Sequence, residues 1–369
     1  MQFSCEKVLL QSAINTASRA VASKSSIPAL EGLLLEAHQS GLTVCGYNMQ
    51  TGIRTTLSAE VQKEGTIVVN ARLFGDIIRR MPDDVILFSL GKNLVITLTC
   101  GDARFDIAGL SPDDFPELPE VEDQFSMTIP QNTLKAMIGE TIFAVSTNES
   151  RPVHTGALFE VEPDGLTVVA VDGFRLALRR EPLTKVEGGA FRFVAPGSAL
   201  SEVEKICGDT DDPAVITLGN RHLLFEVGAT QLICRRLEGE FLDWKNAIPR
   251  KNPIKLTVDT KSMIESIDRV SVVISEKLKS PVRCLFEQDR VAMSAKTGNG
   301  ESCDVCRLTG DGQGLEIGFN NRYLMDALRY CPADTVTMEL NTGISPAIIV
   351  PTEGEENFLY MVLPVRLKN

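Results

Sequence analysis

The sequence predicts an α+β protein of three tandem, similar domains, each with two helices and antiparallel sheets. Two internal echoes predict it. Gly32-Leu33-Leu34-Leu35-Glu36 returns as Gly156-Ala157-Leu158-Phe159-Glu160 and again as Cys284-Leu285-Phe286-Glu287, while Gly41-Leu42-Thr43-Val44 returns as Gly165-Leu166-Thr167-Val168 at an offset of 124. The second echo joins the two ends of the chain at an offset of 250, pairing Asn70 with Asn320, Arg72 with Arg322, Asp76 with Asp326, Arg79 with Arg329 and Pro82 with Pro332. Solenoid units run to about 50 residues, so a period this long is a whole domain. The expected domains are 1–125, 126–251 and 252–369.

Each repeat reads in one order: a short strand, a helical stretch, a β-rich block, a second helical stretch and more strand. The first helical stretches are Glu6–Val21, Pro130–Val145 and Thr260–Ile274; the second are Ala71–Arg80, Gly197–Cys207 and Asn321–Tyr330. Leu9, Leu10, Ile14 and Ala17 follow helical spacing, and Thr260, with Glu265 and Asp268 further on, marks a helix start. Pro82 and Pro332 end second helices at matching points, because proline cannot continue one. Strands are the β-branched runs, such as Val85-Ile86-Leu87-Phe88 and Leu94-Val95-Ile96-Thr97-Leu98, with the hairpin signal Gly91-Lys92-Asn93 between them. Val215–Leu218, Gly219-Asn220-Arg221 and Leu223–Phe225 repeat that arrangement. Acidic, proline-bearing Ser111–Pro119 and Pro249–Pro253 form the joints.

The 369 residues are 43% apolar, enough for real cores. No apolar run approaches the ~18 residues that span a bilayer, and the start Met1–Lys7 lacks the pattern of a secretory signal. Nine scattered cysteines fit free thiols in a reducing cytosol. A net charge of −12 argues against gripping nucleic acid over the whole surface, but leaves room for a basic patch in an acidic body.

That patch has a location. The six helical stretches with their adjoining loops carry about +5, leaving about −17 on the rest. Their cations include Lys7, Arg19, Lys24, Arg72, Arg79, Arg80, Lys135, Arg151, Lys205, Lys261, Arg269, Lys277, Lys279, Arg322 and Arg329. On any one helix these residues are good helix formers on a solvated face. The matched pairs Arg72/Arg322 and Arg79/Arg329 favour one shared basic surface instead. The middle repeat departs, with Gly197 opposite Arg72.

Catalytic patterns are missing. His38, His154 and His222 stand at no metal-ligand spacing, and no Gly-x-Ser-x-Gly elbow occurs. Cys303-Asp304-Val305-Cys306 lies in a strand-like run, where residues three apart face opposite ways, and zinc would need a second pair. Gly310-Asp311-Gly312-Gln313-Gly314 is followed by strand rather than helix, so it reads as a turn and not a phosphate loop. Asp113, Asp114, Glu117, Glu120, Glu122 and Asp123 read as a solvated linker. One tryptophan and 6% aromatics make no stacking platform for single strands.

Several stretches, taken in order, resemble the bacterial sliding clamps, the beta subunits of DNA polymerase III. They are Ser26-Ile27-Pro28-Ala29-Leu30, Asp114-Phe115-Pro116-Glu117-Leu118, Val171-Asp172-Gly173-Phe174-Arg175-Leu176-Ala177, Glu316-Ile317-Gly318-Phe319-Asn320 and Tyr360-Met361-Val362-Leu363-Pro364-Val365-Arg366-Leu367. No single motif decides; the ordered set from Met1 to Leu367, with the threefold repeat, is specific.

The resemblance implies a cytoplasmic, non-catalytic processivity factor that needs no cofactor, metal or membrane. Two copies join head to tail as a homodimeric ring of six domains around double-stranded DNA, with helices lining the hole and sheets on the rim. Heterologous contacts of this kind close when the rotation divides a full turn. The implied partners are a replicative DNA polymerase catalytic subunit, an ATP-driven clamp loader, and other polymerases and repair proteins carrying clamp-binding peptides. By position, the DNA-facing residues are Lys24, Arg72, Arg79, Arg151, Lys205 and Arg322, touching phosphates without reading bases. Phe105 and Ile107 are expected to meet Val272 and Val273 of a second copy, with burial in the core as the equal alternative.

The family's peptide pocket takes a segment beginning with Gln and ending in large apolar residues. It maps here onto Gly173, Phe174, Arg175, Leu176, Leu242, Asn320, Tyr323, Met361, Val362, Pro364, Val365 and Arg366. A buried edge strand is the alternative for Met361–Val365. Val171, Phe174 and Leu242 stand where Thr, His and Pro are common, and Lys368-Asn369 extend past the usual last Leu. The rival readings are an enzyme using acidic clusters and a metal, and a peptide-binding scaffold that never encircles DNA.

Overall fold

A computed structural model describes residues 1–122, 124–183, 185–275, 280–354 and 357–367. Asp123, Lys277, Lys279 and the Lys368-Asn369 extension lie outside the described residues.

Helices form at all six expected places: α1 (Lys7–Ala17), α2 (Ala71–Arg80), α3 (Gln131–Gly139), α4 (Gly197–Ile206), and, after the short α5 (Trp244–Ala247), α6 (Thr260–Ser271) and α7 (Asn321–Arg329). The offset-250 echo has a physical basis. Asn70 accepts from the Leu73 amide at 2.9 Å and Asn320 from the Arg322 amide at 3.0 Å, so both are helix N-caps. Asp259 caps α6 through the Ser262 amide at 2.7 Å, which leaves Thr260 as the first helical residue.

The first helix of each repeat is shorter than its apolar spacing predicts. In the second repeat the Thr141 hydroxyl takes the Met137 carbonyl at 2.7 Å, and its amide turns to Ile138 at 3.0 Å. A side chain that claims the i−4 carbonyl competes with the helix, and a 3₁₀ turn follows at Ile142–Ala144.

The chain packs as two compact units, and their sheets disregard the repeat boundaries. The first unit comprises Met1–Lys135, Thr184–Gly189 and Glu202–Arg236. Its nine-stranded sheet joins the first repeat to the second where Thr51–Leu57 pairs antiparallel with Thr230–Arg235, Ile53 lying opposite Leu232. A five-stranded sheet ends in the edge strand Ala103–Ala108. The core clusters Leu10 and Ile14 of α1 with Phe74, Ile77 and Ile78 of α2 and with Phe3 stacked on Phe88 at 4.6 Å.

The second unit comprises Ala136–Leu183, Ala190–Ser201 and Leu237–Asn369. Its ten-stranded sheet joins the second repeat to the third where Arg175–Glu181 pairs with Phe358–Val362, Leu176 lying opposite Met361. Pairing across the repeats covers strand edges that would otherwise be open to other chains.

The expected turn at Gly310–Gly314 is instead a bulge within one long strand, Gly300–Phe319, where the register slips against Val282–Thr297. Extra residues in one strand bend the ladder without ending it.

Candidate functional site

In the second unit, strands Gly165–Val171 and Arg175–Glu181 are joined by a tight turn. Gly173 adopts φ +92°, a conformation that side chains disfavour. The Asp172 carboxylate locks the turn, accepting the amides of Phe174 and Arg175 at 2.8 and 3.0 Å and the Arg175 Nε at 3.0 Å. Another arm of the same guanidinium donates to Asp326 on α7. One helical turn earlier on α7, the Tyr323 ring lies 4.6 Å beneath that guanidinium.

Phe174 leaves the turn outward, 59% exposed, and its ring lies 6.0 Å from that of Tyr323 with 21° between the planes. The chain leaving strand Phe358–Val362 is pinned alongside, because the Leu363 amide donates to the Phe174 carbonyl at 2.9 Å and the Val365 amide to Gly318 at 2.7 Å.

These elements enclose a cavity of about 700 Å³. Phe174, Tyr323, Ile274, Leu363, Pro364 and Val365 supply its apolar walls; Ser275, Asn320, Asn321 and Arg322 supply polar groups. Apolar walls with a few oriented polar groups suit a pocket for side-chain anchors. Burial, then the Asp172 carboxylate, pushes the Tyr323 phenol above its ordinary value, so it stays a neutral donor and acceptor.

Of the pocket residues named from the sequence, Phe174, Asn320, Tyr323, Pro364 and Val365 line this cavity. Leu176, Met361 and Val362 are buried. The last two end a strand paired on both sides, so the alternative of an edge strand does not describe them. Arg175 is only 12% exposed and serves as a strut behind the wall. Gly173, Leu242 and Arg366 are exposed and not among the residues that line the cavity.

Arg322, read as DNA-facing, also stands at the cavity. Ile274, Ser275, Asn321 and Leu363 were not picked out, nor were Asp172 and Asp326 as a pair. Asp326 had left one trace, its place in the offset-250 echo.

The other expected cations, Lys24, Arg72, Arg79, Arg151 and Lys205, are exposed. Arg79 pairs with Asp76 at 2.9 Å and Lys205 with Glu202 at 2.8 Å. Phe105 lies on Ala103–Ala108, whose outer edge pairs with no strand among the described residues, and is 38% exposed, while Ile107 packs partly onto the core. Val272 is 82% exposed just beyond α6, and Val273 is half-buried.

Among the described residues no reactive centre takes shape. Cys303 is exposed and Cys306 buried, on opposite faces of one strand. Burial pushes the thiols of Cys5, Cys45, Cys207, Cys234 and Cys284 up to about 12, which keeps them protonated and unreactive. Among the described residues, no three His, Cys, Asp or Glu side chains gather as metal ligands, and no helix is long and apolar enough to cross a membrane.

The pattern of the DNA polymerase III beta subunit matches the chain in three successive parts: the N-terminal domain over residues 1–119, the central domain over 128–243 and the C-terminal domain over 245–366. The chain belongs to the DNA polymerase III beta subunit family. The beta sliding clamp of Synechocystis sp. is 33% identical over 398 residues, covering all of both chains, and that of Halalkalibacterium halodurans is 30% identical over 380 residues, covering 99% and 100%. The crystal structure of the Bacillus subtilis sliding clamp superposes with a TM-score of 0.93 at 28% identity over the whole of both chains. A DNA polymerase III beta subunit from Thermotoga maritima does so at 0.91 and 27%, again over both whole chains. The three repeats are therefore three tandem clamp domains, and the chain is a non-catalytic processivity subunit.

Proposed function

We propose that two copies of this chain close head to tail around duplex DNA, and that the cavity beside Phe174 and Tyr323 receives the peptides of the polymerase, the clamp loader and repair proteins. The work is cytoplasmic. A ring holds DNA by topology, so tight binding is unnecessary and would slow sliding. Exposed cations at Lys24, Arg72, Arg79, Arg151, Lys205 and Arg322 suit that task, since contacts to phosphates carry no sequence preference.

The observation that carries the peptide reading is the aromatic and proline-walled cavity of about 700 Å³ with Asn320 at its side. Large apolar side chains entering such a pocket supply most of an interface's energy, and polar groups fix the backbone beside them. Ring closure is supported by the open edge at Phe105 and the bare apolar Val272.

The deciding experiment loads the protein onto a nicked circular plasmid with its ATP-driven loader, and then linearises half of the sample. Retention on the circle with loss from the linear molecule is expected. Equal retention on both would refute encirclement and leave a scaffold that binds DNA or partners directly.

A further inference from the structure

We propose that Asp326 is a positioning residue of the peptide groove: through Arg175 it holds Phe174 against Tyr323 and so sets the slot that an incoming apolar side chain enters. This rests on the reading of the cavity as the peptide site.

The geometry divides the work of one guanidinium. Asp172 belongs to the turn itself, and its bonds to two turn amides and to Arg175 Nε would shape that turn without any help from α7. Asp326 binds the opposite side of the guanidinium from a different element. Tyr323 and Asp326 are three residues apart, so they share a face of α7, and Arg175 lies over both. Phe174 is the residue immediately before Arg175, and its ring meets Tyr323. The Arg175–Asp326 pair is therefore the charged tie between the turn that carries one wall and the helix that carries the other. At 12% exposure, the guanidinium is far costlier to leave unpaired than a surface arginine.

The equivalent residue of the first repeat does something else. Asp76 on α2 pairs with Arg79 and Arg80 of its own helix, at 2.9 and 3.4 Å. Such exposed pairs contribute little. The position matching Arg80 is Tyr330, which follows the last residue of α7, and Arg329 leans to Asp268 at 3.9 Å, so the carboxylate is given over to Arg175. One helix position inherited by both ends of the chain has become a groove support in one of them.

The test measures anisotropy of a fluorescein-labelled pentapeptide, with Gln first and Leu-Phe last, on the full-length protein. Asp326→Asn is expected to weaken binding roughly tenfold, about 1.4 kcal/mol, while Tm falls by no more than a few degrees, because Asp172 still holds the guanidinium. Asp326→Glu should restore most of the affinity. In a Phe174→Ala background, adding Asp326→Asn should change little, because the ring that the tie positions is already gone. Arg175→Lys, which keeps the charge but not the fork, should copy Asp326→Asn and serves if that variant folds poorly. Normal affinity in Asp326→Asn, or an equal loss with and without Phe174, would overturn the positioning role. If Phe174→Ala itself binds the peptide normally, the peptide-site reading falls instead.

Discussion

The Glu140 carboxylate meets the Arg179 guanidinium at 2.8 Å inside the second unit, and Glu181 takes the rest of the same guanidinium, with one bond at 2.9 Å. Two carboxylates share one cation, both largely out of water. Burial, and secondarily the Glu181 charge, outweighs the pull of Arg179 and raises Glu140 from 4.5 to about 7.

A raised carboxyl pKa gives stability that falls as pH rises. The folded protein keeps a proton that the unfolded chain releases above about 4.5, so this contribution is complete below that value and lost through about 7. The urea midpoint should therefore drop between pH 5 and pH 8. Glu140→Gln should flatten that drop and stabilise the protein at pH 8 by about 1 kcal/mol. A variant less stable than the parent at pH 8 would show that the ion pair, and not the burial, dominates.

Asn320→Ala removes the α7 cap and should cost about 1 kcal/mol, visible as a lowered Tm, and Asn320→Asp should retain most of it. Asn70→Ala at the matching cap of α2 should cost a similar amount. Only the Asn320 change should also weaken the labelled peptide, because Asn320 lines the cavity. Equal peptide affinity in both variants would remove Asn320 from the site.

The repeat and the helices are legible because each is written locally, whereas the echo pairs Asn70 with Asn320 without marking either as a cap. A local signal for the caps exists, since Asn70 and Asn320 sit one residue before an amphipathic run and a cap needs only its own next turn. Long-range pairing was not legible. Nothing in Thr51–Leu57 or Thr230–Arg235 announces that they are neighbours, so sheets that run through the repeat boundaries came only with the fold. The site divides along the same line. Phe174, Tyr323 and Pro364 were accessible through family resemblance, but Ile274 and Leu363 reach the cavity by backbone path alone. The resemblance places Arg175 at the site, whereas its burial between Asp172 and Asp326 depends on a contact between residues 151 apart in sequence.

Gly312 is buried in the bulge of the long hairpin, and a Cβ there would fall within 2.5 Å of the Phe286 backbone carbonyl. Gly312→Ala should then destabilise by about 1–3 kcal/mol, because backbone cannot step aside as a side-chain tip can. Gly314, at φ +71° with open space around it, should cost only about 1–2 kcal/mol as alanine, purely from the left-handed backbone. Thermal melts of the two variants compare crowding with conformational strain directly, and a larger loss at Gly314 would reverse the assignment.

Arg72 and Arg79 occupy opposite ends of α2 and separate two kinds of cation. Arg79 already donates to Asp76 at 2.9 Å, so part of its charge is spoken for. If both face DNA, Arg72→Ala should lower the salt dependence of duplex binding by about 0.9 in log–log slope. Arg79→Ala should lower it less. Neither should create a preference among sequences. Fluorescence anisotropy on two unrelated duplexes over a range of salt concentrations reads both, and an unchanged slope for Arg72→Ala would take α2 off the DNA path.

Phe105 on an open strand edge and Val272 beyond α6 are the two exposed apolar groups through which a second copy is expected to bind. A glutamate at either place should be tolerated by the fold, because each side chain already meets water. The same charge buried in an apolar contact has no partner and is strongly disfavoured. Phe105→Glu and Val272→Glu should each shift the light-scattering mass from the dimer towards the 40.3 kDa chain, with circular dichroism unchanged. Mixing the two variants should not restore a dimer ring, because a head-to-tail pair contains two copies of the contact and every pairing leaves at least one of them disrupted. A stable dimer in both variants would place the closing contact elsewhere on the chain.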